Sequence, residues 1–364
     1  MKLADFKVEQ WMNENEGQAK YNLTDTCASS FSMEQLLKMV KTDFSKLVLD
    51  YGEIQGSLAF RQQILSLYKT GSEENITTTN GCLEANVLVM ETLLGPQDHV
   101  IACVPGYQQF VSYPQSLGCT VSTIQLLPES LWQPNLHDFL DAIQDHTKLI
   151  ILNNPNNPTG TQYDLPFLEE LINVCDQRGI YILCDEVYRD PNRLPSISDL
   201  YQRGISTSSL SKMYGLAGLR LGWIKANSNL ITKINSRRDY TMISTGPLLD
   251  ALGTAALENK ELILQRTNAI LDKNRSFLKE WLKDQDIFDC VIPENGTVCF
   301  LEIKGMTDSV KTAQYLLKEH GIFFVPGACF DQEGFMRLGL GQDPNQFKEG
   351  LIRLTDILKS KKGL

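Results

Sequence analysis

Lys212 has the surroundings that most invite chemistry. It lies in SLSKMYGLAGLRLGW (209–223), at the end of a β-rich run, with Arg220 eight residues on. A lysine amine condenses with an aldehyde, and Ser209, Ser211, a loop of small residues and an arginine suit a phosphate dianion. A lone lysine on a glycine-containing turn is ordinarily a surface residue, so the reading depends on companions. CDEVY (184–188) ends an apolar run in Asp185, with Tyr188 three positions later. A buried carboxylate needs a partner, and the protonated ring nitrogen of a ligand would supply one; the same pattern alone also fits a helix cap. NNPNNPTG (153–160) places Asn157 28 residues before Asp185 and 55 before Lys212. As a turn it is ordinary, but it offers amide donors at the same edge.

These residues must be positioned by a sheet. Short β-rich runs at 76–79, 100–104, 121–126, 148–152, 180–184, 205–209 and 222–225 alternate with helical or polar stretches, a rhythm that predicts a mostly parallel α/β sheet. KLIILNN (148–154) and GIYILCDE (179–186) are continuously apolar and end abruptly in polar residues, as strands buried on both faces do. In open α/β sheets ligands sit beyond the carboxyl ends of strands, which directs attention to 153–160, 185–188 and 209–212. Beyond Pro247, helical periodicity runs from Leu248 to about Lys283 with few breakers and could bridge two lobes. TVCFLEI (297–303), a helix around 310–320, IFFVPG (322–327) and FMRLGL (335–340) then predict a small α+β unit joined by the N-terminal segment.

At 364 residues the chain exceeds one ordinary domain, and 42% hydrophobic with 21% charged residues is the composition of a soluble globular protein. The net charge of −10 argues against a general nucleic-acid binder; the basic tail Lys359, Lys361 and Lys362 reads as a solvated terminus. Nine scattered cysteines without a C-x-x-C pair or a signal peptide point to reduced thiols in a cytoplasm. Four histidines show no zinc-site spacing, so no metal is expected, and no apolar run is long enough to cross a bilayer.

The order N-N-P-T-G, D-E-x-Y, S-x-S-K followed by G-x-R-x-G-W resembles the class I/II aminotransferases, pyridoxal-phosphate (PLP) enzymes of fold type I, over most of the chain. The resemblance implies a large PLP-binding domain with a mostly parallel seven-stranded sheet at 45–248, and a small α+β domain from 1–44 with 249–364. It makes Lys212 the lysine that holds the cofactor as an aldimine and moves the proton between substrate Cα and cofactor C4′. Asp185 would hold the pyridinium, Tyr188 and Asn157 the phenolate oxygen, and Ser209, Ser211 and Arg220 the phosphate. TNGCLEA (79–85) matches the first phosphate loop, with Gly81 and Cys82 offering backbone N–H groups at a helix start. PGY (105–107) places Tyr107 where the family stacks an aromatic ring on the pyridine, its rival being a plain loop tyrosine. YGEIQGSLAFR (51–61) matches the segment whose tyrosine, here Tyr51, reaches the phosphate of the neighbouring subunit, implying a homodimer. Arg337 in FMRLGL matches the arginine that forks onto the substrate α-carboxylate, with Asn157 also on the substrate side; a structural salt bridge is the rival for Arg337.

The resemblance implies an aminotransferase acting on an L-amino acid and a 2-oxo acid. A lyase, cyclase or oxidase on the same scaffold is the alternative, because all begin from the same carbanion. A PLP-binding regulator fits less well because the expected catalytic set is complete and no helix-turn-helix extension is read ahead of the domain, and a nicotinamide dehydrogenase because GLAGLRLG (215–222) lacks G-x-G-x-x-G. One region departs from the family pattern: LTDTCASS (23–30) has no glycine where a glycine-containing segment usually covers the substrate. It reads either as an atypical polar lid or, preferred here, as an ordinary capped loop before a helix at 33–41.

Overall fold

Residues alternating between two apolar layers make the central strands. In the computed structural model, which describes residues 3–40 and 43–360, the chain begins with a helix, Lys7–Asn15, and a short strand β1 (Tyr21–Asn22). Seven strands then form the main sheet: β2 (Ile76–Thr79), β3 (His99–Val104), β4 (Thr120–Gln125), β5 (Thr147–Asn153), β6 (Tyr181–Asp185), β7 (Gly204–Ser209) and β8 (Gly222–Lys225). Their spatial order is β2-β8-β7-β6-β5-β3-β4, parallel except that β8 runs against both its neighbours. Ile101, Ile150, Leu152 and Ile182 face one buried layer with Leu168 and Leu171 of the helix Leu165–Arg178. Val100, Leu149, Ile151 and Leu183 face the other, with Leu88 and Val89 of the helix Gly81–Leu93. Burial on both faces is why these runs carry no polar alternation.

A second sheet has the order β12-β13-β10-β9, formed by β9 (Phe288–Cys290), β10 (Val298–Ile303), β12 (Val325–Pro326) and β13 (Phe335–Gly339), all antiparallel. The N-terminal segment meets the C-terminal part in a separate two-stranded sheet: β1 pairs in parallel with β11 (Ile322–Phe323), and Trp11 Nε1 donates to the Phe324 carbonyl at 2.8 Å. Phe300, Phe330 and Phe335 form its aromatic core, and Trp132, from the loop after β4, packs 5.9 Å from Phe300 and 5.3 Å from Phe335. Trp132 therefore ties the two sheets together. Phe300→Ala is expected to lower unfolding stability by about 3–5 kcal/mol, measured by urea denaturation, because the ring is fully buried between these neighbours.

The helical stretch expected over 248–283 is two helices, Pro247–Glu258 and Lys260–Lys283. The break falls at Asn259 (φ −108°, ψ 19°), whose side-chain amide donates to the carbonyls of Ala255 and Met39. Asparagine competes with helix continuation through such local bonds, a signal that apolar periodicity does not carry. The helix expected at 33–41 spans Met33–Met39, closed at its start by a Ser32/Gln35 capping box; Lys41, like Lys361 and Lys362, lies outside the described residues. Among the described residues no helix is long and apolar enough to cross a membrane.

Candidate active site

Three neighbouring parallel strands end side by side in polar residues. Asn153 pairs in register with Asp185, and Asp185 with Thr207, two residues before Ser209. Beyond these ends opens a cleft of about 360 Å³. It brings together Cys82, Tyr107, Asn157, Asp185, Tyr188, Ser209, Ser211, Lys212, Arg220 and Arg337, residues that lie as far apart as 255 positions in sequence. Two expected site residues stand outside its wall. Gly81 lies behind it, and Tyr51 is 67% exposed on the outer surface of this chain.

Asp185 is buried at the floor. Asn86 Nδ2 donates to its Oδ2 at 2.8 Å and the Val187 N–H to its Oδ1 at 3.0 Å, while Thr207 Oγ1 donates to Asn86 Oδ1 at 2.6 Å and so fixes the amide's orientation. Burial raises the carboxyl pKa above its ordinary value, against the lowering by these donors and by Lys212. No cation among the described residues lies within ion-pair range of it. Arg337, 4% exposed on β13, is equally unpaired: its Nε donates to Thr24 Oγ1 at 3.2 Å, its Nη2 reaches Met12 Sδ at 3.9 Å, and no described carboxylate is in range. The salt-bridge reading of Arg337 therefore falls. Asn157 is held by its backbone, whose N–H donates to Asn153 Oδ1 at 2.7 Å, and its buried side-chain Oδ1 has no protein partner; oxygen and nitrogen of such an amide exchange by a flip, so one end of it is owed to a ligand.

Lys212 Nζ donates to Thr26 Oγ1 at 2.6 Å and lies 3.6 Å from Cys27 Sγ. Burial works against its ammonium, but Tyr188, Cys27 and Asp25 around it outweigh burial and raise its pKa above the usual lysine value. Burial in turn keeps the Cys27 thiol and the Tyr188 phenol protonated to higher pH than usual. Tyr107 packs on Phe6 at 4.9 Å and donates its hydroxyl to Glu9 at 2.9 Å. Arg220 adopts a left-handed backbone (φ 52°) and donates Nη1 to the Ala217 carbonyl. Its guanidinium lies over Gly81, where a side-chain carbon would come 2.6 Å from Nη2. With φ +78° as well, only glycine admits this arrangement, which sets Arg220 beside the free N–H groups at the start of the helix Gly81–Leu93.

Val8, Glu9, Met12 and Asn86 also line the cleft and were not anticipated, while Asn153 belongs to the turn at 153–160 and Asp25 and Thr26 to the segment 23–30, both singled out in the sequence. The preferred reading of 23–30 as an ordinary capped loop is corrected here: Ser32 does cap the next helix, but Asp25 and Thr26 form a wall of the cleft. The only sequence signal was the absence of the usual glycine. Among the described residues no group of three His, Cys, Asp or Glu side chains could hold a metal ion, and all nine cysteines are free.

An anion, two unpaired cations, a lysine and an unsatisfied amide facing one cleft fit an aromatic cofactor with a cationic nitrogen, a carbonyl and a phosphate. Comparison with known proteins agrees. The family described as "Aminotransferase class I and II" matches residues 16–354. Capreomycidine synthase of Streptomyces vinaceus is 27% identical over 363 residues, covering 96% of this chain and 93% of that protein. Aspartate aminotransferase of Thermotoga maritima is 28% identical over 80% of this chain and 77% of its own length. A crystal structure of a PLP-dependent aminotransferase from Streptococcus suis superposes with a TM-score of 0.95 at 37% identity, covering 99% of both chains.

Proposed function

Because the chain belongs to the class I and II aminotransferases, a PLP-dependent family, we propose that it moves an amino group between an L-amino acid and a 2-oxo acid, with pyridoxal phosphate held through Lys212. The observation that carries this reading is the coexistence in one cleft of a buried unpaired carboxylate, Asp185, a buried unpaired guanidinium, Arg337, and Lys212. When bound, the cofactor supplies an electron sink for bond breaking at the substrate α-carbon. Asp185 keeps the ring nitrogen protonated. The Asn157 amide and the Tyr188 hydroxyl donate to the ring oxygen, and Tyr107 covers the ring face. Arg220, Ser209 and Ser211, with the N–H groups of Gly81 and Cys82, hold the phosphate. Arg337 fixes the α-carboxylate by two parallel N–H bonds, and Lys212 Nζ takes the proton from the substrate Cα.

Tyr51 has a place in this scheme only if a second subunit is present, and we include a homodimer in the proposal. The Tyr51 segment lies against the loop before the helix Pro247–Glu258, since Ser244 Oγ donates to the Tyr51 carbonyl. Val48, Leu49 and Tyr51 beside it, and Ile243 next to Ser244, are exposed, an apolar surface of the kind a partner covers.

Incubating the protein with PLP, amino acids and a set of 2-oxo acids, pyruvate and 2-oxoglutarate among them, tests the reading: an absorbance band at the visible edge should appear, be bleached by the donor and recover with the acceptor. Similarity to capreomycidine synthase over nearly the whole chain favours a second reading, a lyase, cyclase or oxidase outcome on the same residues. Turnover without an acceptor, with ammonia or a cyclised product released, would establish that one instead. Either way Arg337→Lys should lower kcat/KM about 10²-fold, measured by steady-state kinetics, because a point charge cannot replace the fork.

A further inference from the structure

We propose that the amino donor carries a positively charged side chain and that Asp25 selects it, an inference that rests on the aminotransferase reading of the cleft. Three cations, Lys212, Arg220 and Arg337, and three carboxylates, Glu9, Asp25 and Asp185, line it. Asp185, Lys212 and Arg220 would hold the cofactor, and Arg337 would hold the substrate α-carboxylate. Glu9 and Asp25 are left without either role, and neither has a described cation in ion-pair range. Arg337, with no described carboxylate in range, and Asn157, whose side-chain Oδ1 has no protein partner, are both more than nine-tenths buried and mark this cleft as built around a ligand.

Asp25 is placed rigidly. The Gly339 N–H donates to the Leu23 carbonyl, Thr297 Oγ1 to the Thr26 carbonyl, the Ala28 N–H to the Lys212 carbonyl and the Ser29 N–H to the Gly341 carbonyl, so the segment is fastened on both sides. The Asp25 carbonyl lies so close to Gly339 that any side chain there would collide with it. The Cys27 N–H donates to Asp25 Oδ1 at 2.9 Å and fixes the carboxylate itself. Its neighbour Thr24 accepts from Arg337 Nε, so the negative charge stands one residue from the group that orients the α-carboxylate. Glu9 is exposed and already accepts from Tyr107, so it adds negative potential at the mouth rather than the specific contact. An acidic side chain entering this space meets two like charges; an ammonium or guanidinium meets compensation.

L-Lysine and L-norleucine, which share a four-carbon side chain and differ by the terminal ammonium, together with L-arginine and L-aspartate, test this on the holoenzyme. Both kcat/KM and the dissociation constant read from the cofactor absorbance should favour the cationic donors at least about ten-fold over norleucine. Asp25→Asn should lower the lysine-to-norleucine ratio by a similar factor, and Asp25→Glu should recover part of it. A preference for aspartate or norleucine, or a ratio that Asp25→Asn leaves unchanged, overturns the inference. If donors bind in the cationic order but none is turned over with an acceptor, the selectivity stands and the transamination reading fails.

Discussion

Lys212→Ala is expected to lower kcat at least about 10³-fold, because the variant loses both the amine that holds the cofactor and the base at the substrate α-carbon. Nothing nearby can take over. The groups in hydrogen-bond contact with Nζ are the Thr26 hydroxyl, which is not basic, and the Cys27 thiol, which burial keeps protonated. Cofactor should still bind, since Asp185, Asn157, Tyr188 and Arg220 remain, but the visible-edge absorbance band should be missing. The wild-type apoprotein offers a pH test of the same residue. The lysine pKa is raised, so the ammonium predominates at neutral pH. Only the free amine is a nucleophile, and the rate of cofactor capture should climb roughly ten-fold per pH unit through the mildly alkaline range. A pH-independent rate there would count against Lys212 as the capturing group.

Asp185→Asn should lower kcat/KM by about 10²–10³-fold while leaving the cleft's shape intact. A neutral amide cannot keep the ring nitrogen cationic. It also sets an N–H against the donors already aimed at the carboxylate, those of Asn86 and Val187, because Thr207 holds Asn86 from flipping. In the apoprotein burial raises the Asp185 pKa above 3.8, so the folded carboxylate takes up its proton at a higher pH than an exposed one. As pH falls through that raised value the charge partner of the ring nitrogen disappears. Cofactor affinity of the wild type should therefore weaken at acid pH, measured by fluorescence titration, and this acid limb should be missing from Asp185→Asn.

The sheet was legible because its strands are buried on both faces. KLIIL and GIYILC have no other place in a soluble fold, and polar residues at their ends mark where the apolar layers stop. Asn157, Asp185 and Lys212 stood out because each follows such an end within a few residues. The wall made by Glu9, Met12 and Asp25 was not legible, since its position depends on β1 pairing with β11 and on Gly339 donating to Leu23, contacts across some 300 residues that local periodicity does not encode. The helix break at Asn259 escaped for the opposite reason: it is local, but made by side-chain hydrogen bonds rather than apolar spacing. Gly81 could be read as a phosphate-loop glycine; that its missing side chain makes room for Arg220 could not.

The fastening of residues 23–29 has a consequence for the order of biosynthesis. The partners of that segment are Lys212, Thr297, Gly339 and Gly341, so residues 23–29 find their seat only after residues 297–341 have been translated. Until then the nascent chain can hold the main sheet with Asp185 and Lys212 at its edge, but not the wall that completes their cleft. Assembly of the catalytic chamber is thereby deferred until residues 297–341 are available, and a product terminated between Lys212 and Thr297 carries the reactive lysine without the enclosure that disciplines it.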